Sequence, residues 1–143
     1  MNDRDKINLS HIKKRSMVSY ILSRVSAGFP SPADDFIQSK IDVNDLLIEH
    51  PASTYFITVS GNSMFDAGIR DGDLLIVDRS LDYVNGKIVI VILEGDFLVK
   101  KIHIKSTKVF LVAANNDYKD IEVTDEMNCT IWGVVTYVIH TAT

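Results

Sequence analysis

The sequence predicts a mainly β protein, one domain of antiparallel strands with a short helix, preceded by a flexible N-terminal arm. Three observations lead there. From Thr54 onward, β-branched and aromatic residues fall in short runs separated by Gly, Asn and Asp, as in strands joined by tight turns. Upstream, Gly28-Phe29-Pro30-Ser31-Pro32 sets two prolines one residue apart, which keeps that stretch extended and out of any helix or central strand. A chain of 143 residues that is 46% hydrophobic can bury one core and is too short for two full domains.

In chain order, the arm comes first. Between residues 11 and 25, Ile12, Met17, Val18, Tyr20, Ile21, Leu22 and Val25 follow neither a period of 2 nor one of 3.6, so a loosely structured arm with one helical turn is expected. The proline segment reads as a linker. Asp42 is placed to cap a short helix running through Glu49, with Asp45 in its first turn favourable to the helix dipole and Pro51 preventing continuation. Strands are then expected at 55–60, 74–77, 88–93, 97–104, 109–113 and 131–139. Between them stand Asp71-Gly72-Asp73, Asn85-Gly86, Glu94-Gly95-Asp96 and Asn115-Asn116-Asp117, all turn-forming sequences. Glu94-Gly95 predicts a hairpin between two long strands.

The net charge of −4 is unevenly spread. Residues 1–27 hold Arg4, Lys6, Lys13, Lys14, Arg15 and Arg24 against Asp3 and Asp5, a local charge of +4 that leaves −8 on the remainder. A basic arm is attracted to an acidic body, and the body is a poor surface for nucleic acid. The patch from His11 to Arg15 reads as solvated surface rather than a nucleic-acid tail. No run of 18 apolar residues and no signal-peptide pattern occurs, so a cytoplasmic protein without a membrane span is expected. Cys129 is the single cysteine, which excludes an internal disulfide and a cysteine-based metal site.

Three features carry possible chemistry. Ser60-Gly61-Asn62-Ser63-Met64 ends a strand at a glycine, where a tight turn can lift a serine out of the sheet beside backbone amides; a serine next to glycine is also an ordinary turn residue. In Phe97-Leu98-Val99-Lys100-Lys101-Ile102-His103-Ile104, alternation puts Lys100 on one face with Leu98, Ile102 and Ile104, and Lys101 on the other. A lysine pointing inward loses basicity and becomes a neutral amine able to serve a serine nucleophile; an edge lysine that guards against aggregation has the same sequence. The third feature is Ala27-Gly28-Phe29-Pro30, small and extended enough to thread a cleft as substrate, or simply a linker. His11, His50, His103 and His140 are scattered with no acid pattern beside them, so a Ser-His-Asp triad is unsupported. No spacing matches a metal site or phosphate loop, and Asp66, Asp71, Asp73 and Asp78 read as turn residues.

Taken together these residues resemble the UmuD family, mutagenesis proteins related to the peptidase domain of the LexA repressor. The resemblance is carried by AGFPSPADDF at Ala27, DLLIEHPASTYFITVSGNSM ending at Met64, GIRDGDLLIVD from Gly68 to Asp78, FLVKKI with Lys100 and Lys101, and WGVVTYVIH near the C-terminus. It covers residues 27–140, while residues 1–26 show little similarity and Ala27 stands where a relative has cysteine. The resemblance implies a LexA/UmuD-type peptidase domain over residues 28–143 and removal of residues 1–27 by self-cleavage. It further implies Ser63 as nucleophile, Lys100 as general base, Ala27-Gly28 as the scissile bond, and the amides of Asn62 and Ser63 as oxyanion donors, with no metal or other cofactor. The implied partners are a second copy in a homodimer, a UmuC-type Y-family polymerase subunit, and a RecA filament on single-stranded DNA that stimulates cleavage in the SOS response. A LexA-like or phage-type repressor is the alternative, but 27 residues cannot hold a three-helix DNA reader with its own core. A peptidase acting on other proteins, like a signal peptidase, would normally need a membrane anchor.

Overall fold

The computed structural model describes residues 17–22, 24–28 and 38–143, and packing divides the chain into two compact units, 1–49 and 50–143. The basic patch at 11–15 and the prolines at 30 and 32 lie outside the described residues.

In the first unit, β1 (Met17–Ile21) pairs antiparallel with β2 (Gln38–Asp42), Met17 opposite Asp42 and Ile21 opposite Gln38. This corrects the helical turn expected in the arm. The run Met-Val-Ser-Tyr-Ile is dominated by β-branched and aromatic side chains, which fit a pleated ribbon better than a helix. α1 (Val43–Leu47) follows, capped as expected by Asp42, whose carboxylate accepts from the Asn44 amide at 2.9 Å. It ends before Glu49, and packing assigns it with β2 to the first unit. That division concerns contacts; the expected boundary after residue 27 concerns cleavage.

The second unit is one sheet of seven antiparallel strands. They are β3 (Thr54–Thr58), β4 (Leu74–Asp78), β5 (Ile88–Leu93), β6 (Asp96–Lys105), β7 (Lys108–Val112), β8 (Ile121–Glu122) and β9 (Cys129–Ile139), in spatial order β3-β4-β9-β5-β6-β7-β8. The short pairing strand β8 has no counterpart in the sequence expectation, because two residues carry no periodicity. Glu94-Gly95 forms the expected two-residue hairpin with φ of 49° and 85°, the left-handed pair that matches strand twist.

The central strands carry a core cluster on each face. Along β5, Ile90 enters one cluster with Val59, Met64, Ile69, Leu75 and Val77, whereas Val89 and Val91 enter another with Ile102, Leu111 and Val134. Alternation thus gives one strand two cores, which explains its uninterrupted run of apolar residues. The long β9 bridges β4 and β5, with register shifts at Ile76/Val77 and Ile90/Val91. Gly133 sits there because a side chain could not: a Cβ would lie 2.6 Å from Val77 Cγ1.

Candidate active site

Ser63 stands in the loop between β3 and β4, and the loop is tied down on every side. Gly61 takes φ of 93°, open to glycine without strain, and its amide donates to Asp71 Oδ1 at 2.8 Å. The Asp71 amide returns a bond to Asn62 Oδ1 at 3.3 Å. Asn62 O accepts from Phe65 N at 3.2 Å and from Asn115 Nδ2 at 2.9 Å. Immediately after the serine, Met64 is buried to 2% exposure beside Ile69, an anchor worth about 1.5–3 kcal/mol. The loop's shape is therefore set by its neighbours, and Ser63 itself is left half-buried.

Lys100 comes from the middle of β6, paired with Val89 of β5. It is 7% exposed, between exposed Lys101 and the half-buried Val99. Burial pushes its amine below the ordinary lysine range, since a charged ammonium is disfavoured away from water. Its Nζ lies 5.6 Å from the centre of the Tyr118 ring.

Ser63 and Lys100 line one cleft of about 210 Å³, walled by Ile57, Val59, Met64, Ile90, Phe97 and Val99 among others. No hydrogen bond joins the hydroxyl to the amine among the described residues. The two residues line one mainly apolar cleft, and contacts between catalytic groups commonly tighten only when substrate is bound. Ala27 and Gly28 lie in the first unit, exposed, with the Gly28 amide donating to Ser26 Oγ at 3.3 Å. Among the described residues, no cluster of three His, Cys, Asp or Glu side chains could hold a metal ion, and no helix is long and apolar enough to cross a membrane.

No sequence pattern pairs a histidine with an acid, but the fold does bring one such pair together. His50 Nδ1 lies 2.6 Å from Asp78 Oδ2, which β3–β4 pairing brings together across 28 positions. The nearby serines do not complete a triad, because the hydroxyls of Ser53 and Ser80 both donate to Asp78 Oδ1, at 2.9 and 2.7 Å. Burial alone would push the Asp78 carboxyl up, but bonds from Ser80, His50 and Ser53 overcome it and hold the group far below the carboxylate range. Of the acidic turn residues, Asp71 braces Gly61 and Asp73 accepts from Arg70 N at 2.7 Å. Of two residues near the cleft, Asn115 was read only as a turn residue and Tyr118 was not singled out; no local signal marks either, since each meets its partner through the fold.

Residues 19–136 match the Peptidase S24-like family. The chain belongs to that family. It is 39% identical to Protein MucA of Salmonella typhimurium, over 84% of this chain and 82% of that one. It is 40% identical to Protein ImpA of Shigella flexneri, over 82% and 79%, relatives that bear out the UmuD-type resemblance. The LexA repressor of Psychromonas ingrahamii is 37% identical over 85% of this chain but 58% of its own length. Membership in the Peptidase S24-like family makes the chain a serine-peptidase-type, SOS-related protein of mainly antiparallel β structure.

Proposed function

We propose that this protein cuts its own chain between Ala27 and Gly28, with Ser63 as nucleophile and Lys100 as general base, and that the trimmed form, residues 28–143, is an accessory subunit of an error-prone translesion polymerase. The observation that carries the reading is Lys100, almost excluded from water, with lowered basicity, in the cleft that Ser63 lines. The neutral amine takes the Ser63 proton as Oγ bonds to the Ala27 carbonyl carbon. The carbonyl oxygen becomes an oxyanion facing the amides of Asn62 and Ser63. Collapse breaks the Ala27–Gly28 bond, and Lys100 returns the proton to the departing Gly28 amine; water then releases Ala27 from the serine ester.

Cleavage requires residues 27 and 28 to occupy the cleft. A RecA filament on single-stranded DNA would favour that docked state, a shift of population rather than new chemistry. The family resemblance supplies the remaining partners, a second copy in a homodimer and a UmuC-type Y-family polymerase subunit. The alternative reading is a LexA-like or phage-type transcriptional repressor.

Incubating the purified protein at alkaline pH should release a fragment beginning at Gly28, because rising pH populates the neutral Lys100 amine. Ser63→Ala and Lys100→Ala should stay intact, and cleavage by either variant alone removes the dyad. Pull-down with a UmuC-type subunit tests the second half; equal capture of intact and trimmed chains argues against a cleavage switch.

A further inference from the structure

The loop following β7 reaches both chemical groups of the cleft. Ala114 O accepts from Asp66 N at 2.7 Å and Asn115 Nδ2 donates to Asn62 O at 2.9 Å, both on the Ser63 side, while Tyr118 lays its ring against Lys100. The Asn115 contact joins residues 53 positions apart and ends on the carbonyl of the residue before the serine.

That carbonyl belongs to the same peptide plane as the Ser63 N–H. In a trans peptide the C=O and N–H point in opposite directions and cannot turn independently. Gripping Asn62 O therefore aims the Ser63 amide. Phe65 N also bonds Asn62 O, at 3.2 Å, but it lies in the same short loop and would move with it; Asn115 ties the plane to a separate loop, the one that follows β7. The asparagine is itself held, since its Oδ1 accepts from Asp117 N at 3.0 Å and its carbonyl accepts from Tyr118 N at 3.1 Å. Among the described residues, the Ser63 amide donates to no protein acceptor, so it is free to receive a developing negative charge.

We infer that Asn115 is a positioning residue for the cleavage reaction: it orients the Asn62–Ser63 peptide so that the Ser63 N–H meets the oxyanion of the tetrahedral intermediate. This rests on the self-cleavage proposed above. A donor aimed before reaction is worth far more than one that must reorganise during it.

The test uses the full chain. Asn115→Asp is nearly isosteric, keeps the oxygen that accepts from Asp117 N, and loses only the Nδ2–H donation; Asn115→Ala removes the same donor without adding charge. First-order cleavage is followed against pH for wild type and both variants, with melting temperature measured in parallel. The expected result is a plateau rate lower by about tenfold or more in both variants, with the Asn115→Ala pH midpoint and melting temperature unchanged. Plateaus within twofold of wild type overturn the inference, as does a rate loss that follows the melting temperature or an Asn115→Ala midpoint shift, which would place its action on Lys100 or on folding. Should wild type itself fail to cut, or Ser63→Ala cut normally, it is the self-cleavage reading that falls.

Discussion

At one end of the β3–β4 ladder, where Thr54 pairs with Asp78, a buried carboxylate is surrounded by donors: His50, Ser53, and both the amide and hydroxyl of Ser80. At the other end, beyond Thr58 and Leu74, the Ser63 loop leads into a cleft where, among the described residues, buried Lys100 has no carboxylate partner and its amine lies 5.6 Å from the centre of a tyrosine ring. Both centres bury an ionisable group, and the outcomes are opposite. Saturated with hydrogen bonds, Asp78 keeps its charge and serves the fold. Lys100 has its charge disfavoured, which destabilises the ammonium and suits the amine to the base role proposed above. The contrast teaches that burial alone does not mark a reactive group; burial without partners does.

The largest effect expected is at the cleft. Lys100→Met should abolish cleavage, by about a thousandfold or more, while melting temperature stays level or rises, because an apolar chain of similar length replaces a group unfavourable to bury. A marked loss of stability in a chemical melt would break the comparison by showing Lys100 to be structural. Asp78→Asn should do the reverse. Its partners lose a charged acceptor, lowering stability by about 1–3 kcal/mol, with cleavage within severalfold of wild type. Gly133→Ala tests packing without changing either ionisable group: overpacking against Val77 should lower stability by about 1–3 kcal/mol and leave the pH midpoint of cleavage where it was.

The two centres should also separate by pH. Asp78 has a folded pKa held below its unfolded value, so its contribution is complete above the ordinary aspartate pKa of about 3.9 and is lost as pH falls below that. Denaturant melts from pH 6 downward should show the decline, and Asp78→Asn should flatten it. Lys100 has a folded pKa below the ordinary lysine value, so the folded state sheds its proton first and this contribution to stability rises with pH across the interval between the two values. Cleavage should increase through the lower end of that interval; a midpoint at or above the ordinary lysine value, about 10.4, would contradict a desolvated base. The smallest effect belongs to Lys101→Ala. Its side chain is exposed on the opposite face, and the change should alter stability by less than about 0.5 kcal/mol and leave cleavage nearly normal.

Much of this was legible in local sequence. Strand positions from 74 to 139, β8 excepted, follow from β-branched runs and turn residues, the Glu94-Gly95 hairpin from two residues, and the cap on α1 from Asp42. Alternation along β6 distinguishes Lys100 from Lys101 because a strand turns successive side chains to opposite faces. The arm was less legible, since Met17–Ile21 became a strand only through pairing with residues 38–42. His50 with Asp78, and Asn115 with Asn62, could not be read at all, for each contact spans dozens of residues and neither partner has a distinctive local pattern.

What the sequence determined by itself is periodicity and turn chemistry, properties of residues a few positions apart, together with motifs specific enough to identify the family. What only tertiary structure decided is which polar groups meet. Closing β3 against β4 surrounded one carboxylate with donors, and folding β6 beside the Ser63 loop enclosed one amine in an apolar cleft. The physical reason is that solvation depends on everything that surrounds a side chain, and most of those neighbours are distant along the chain.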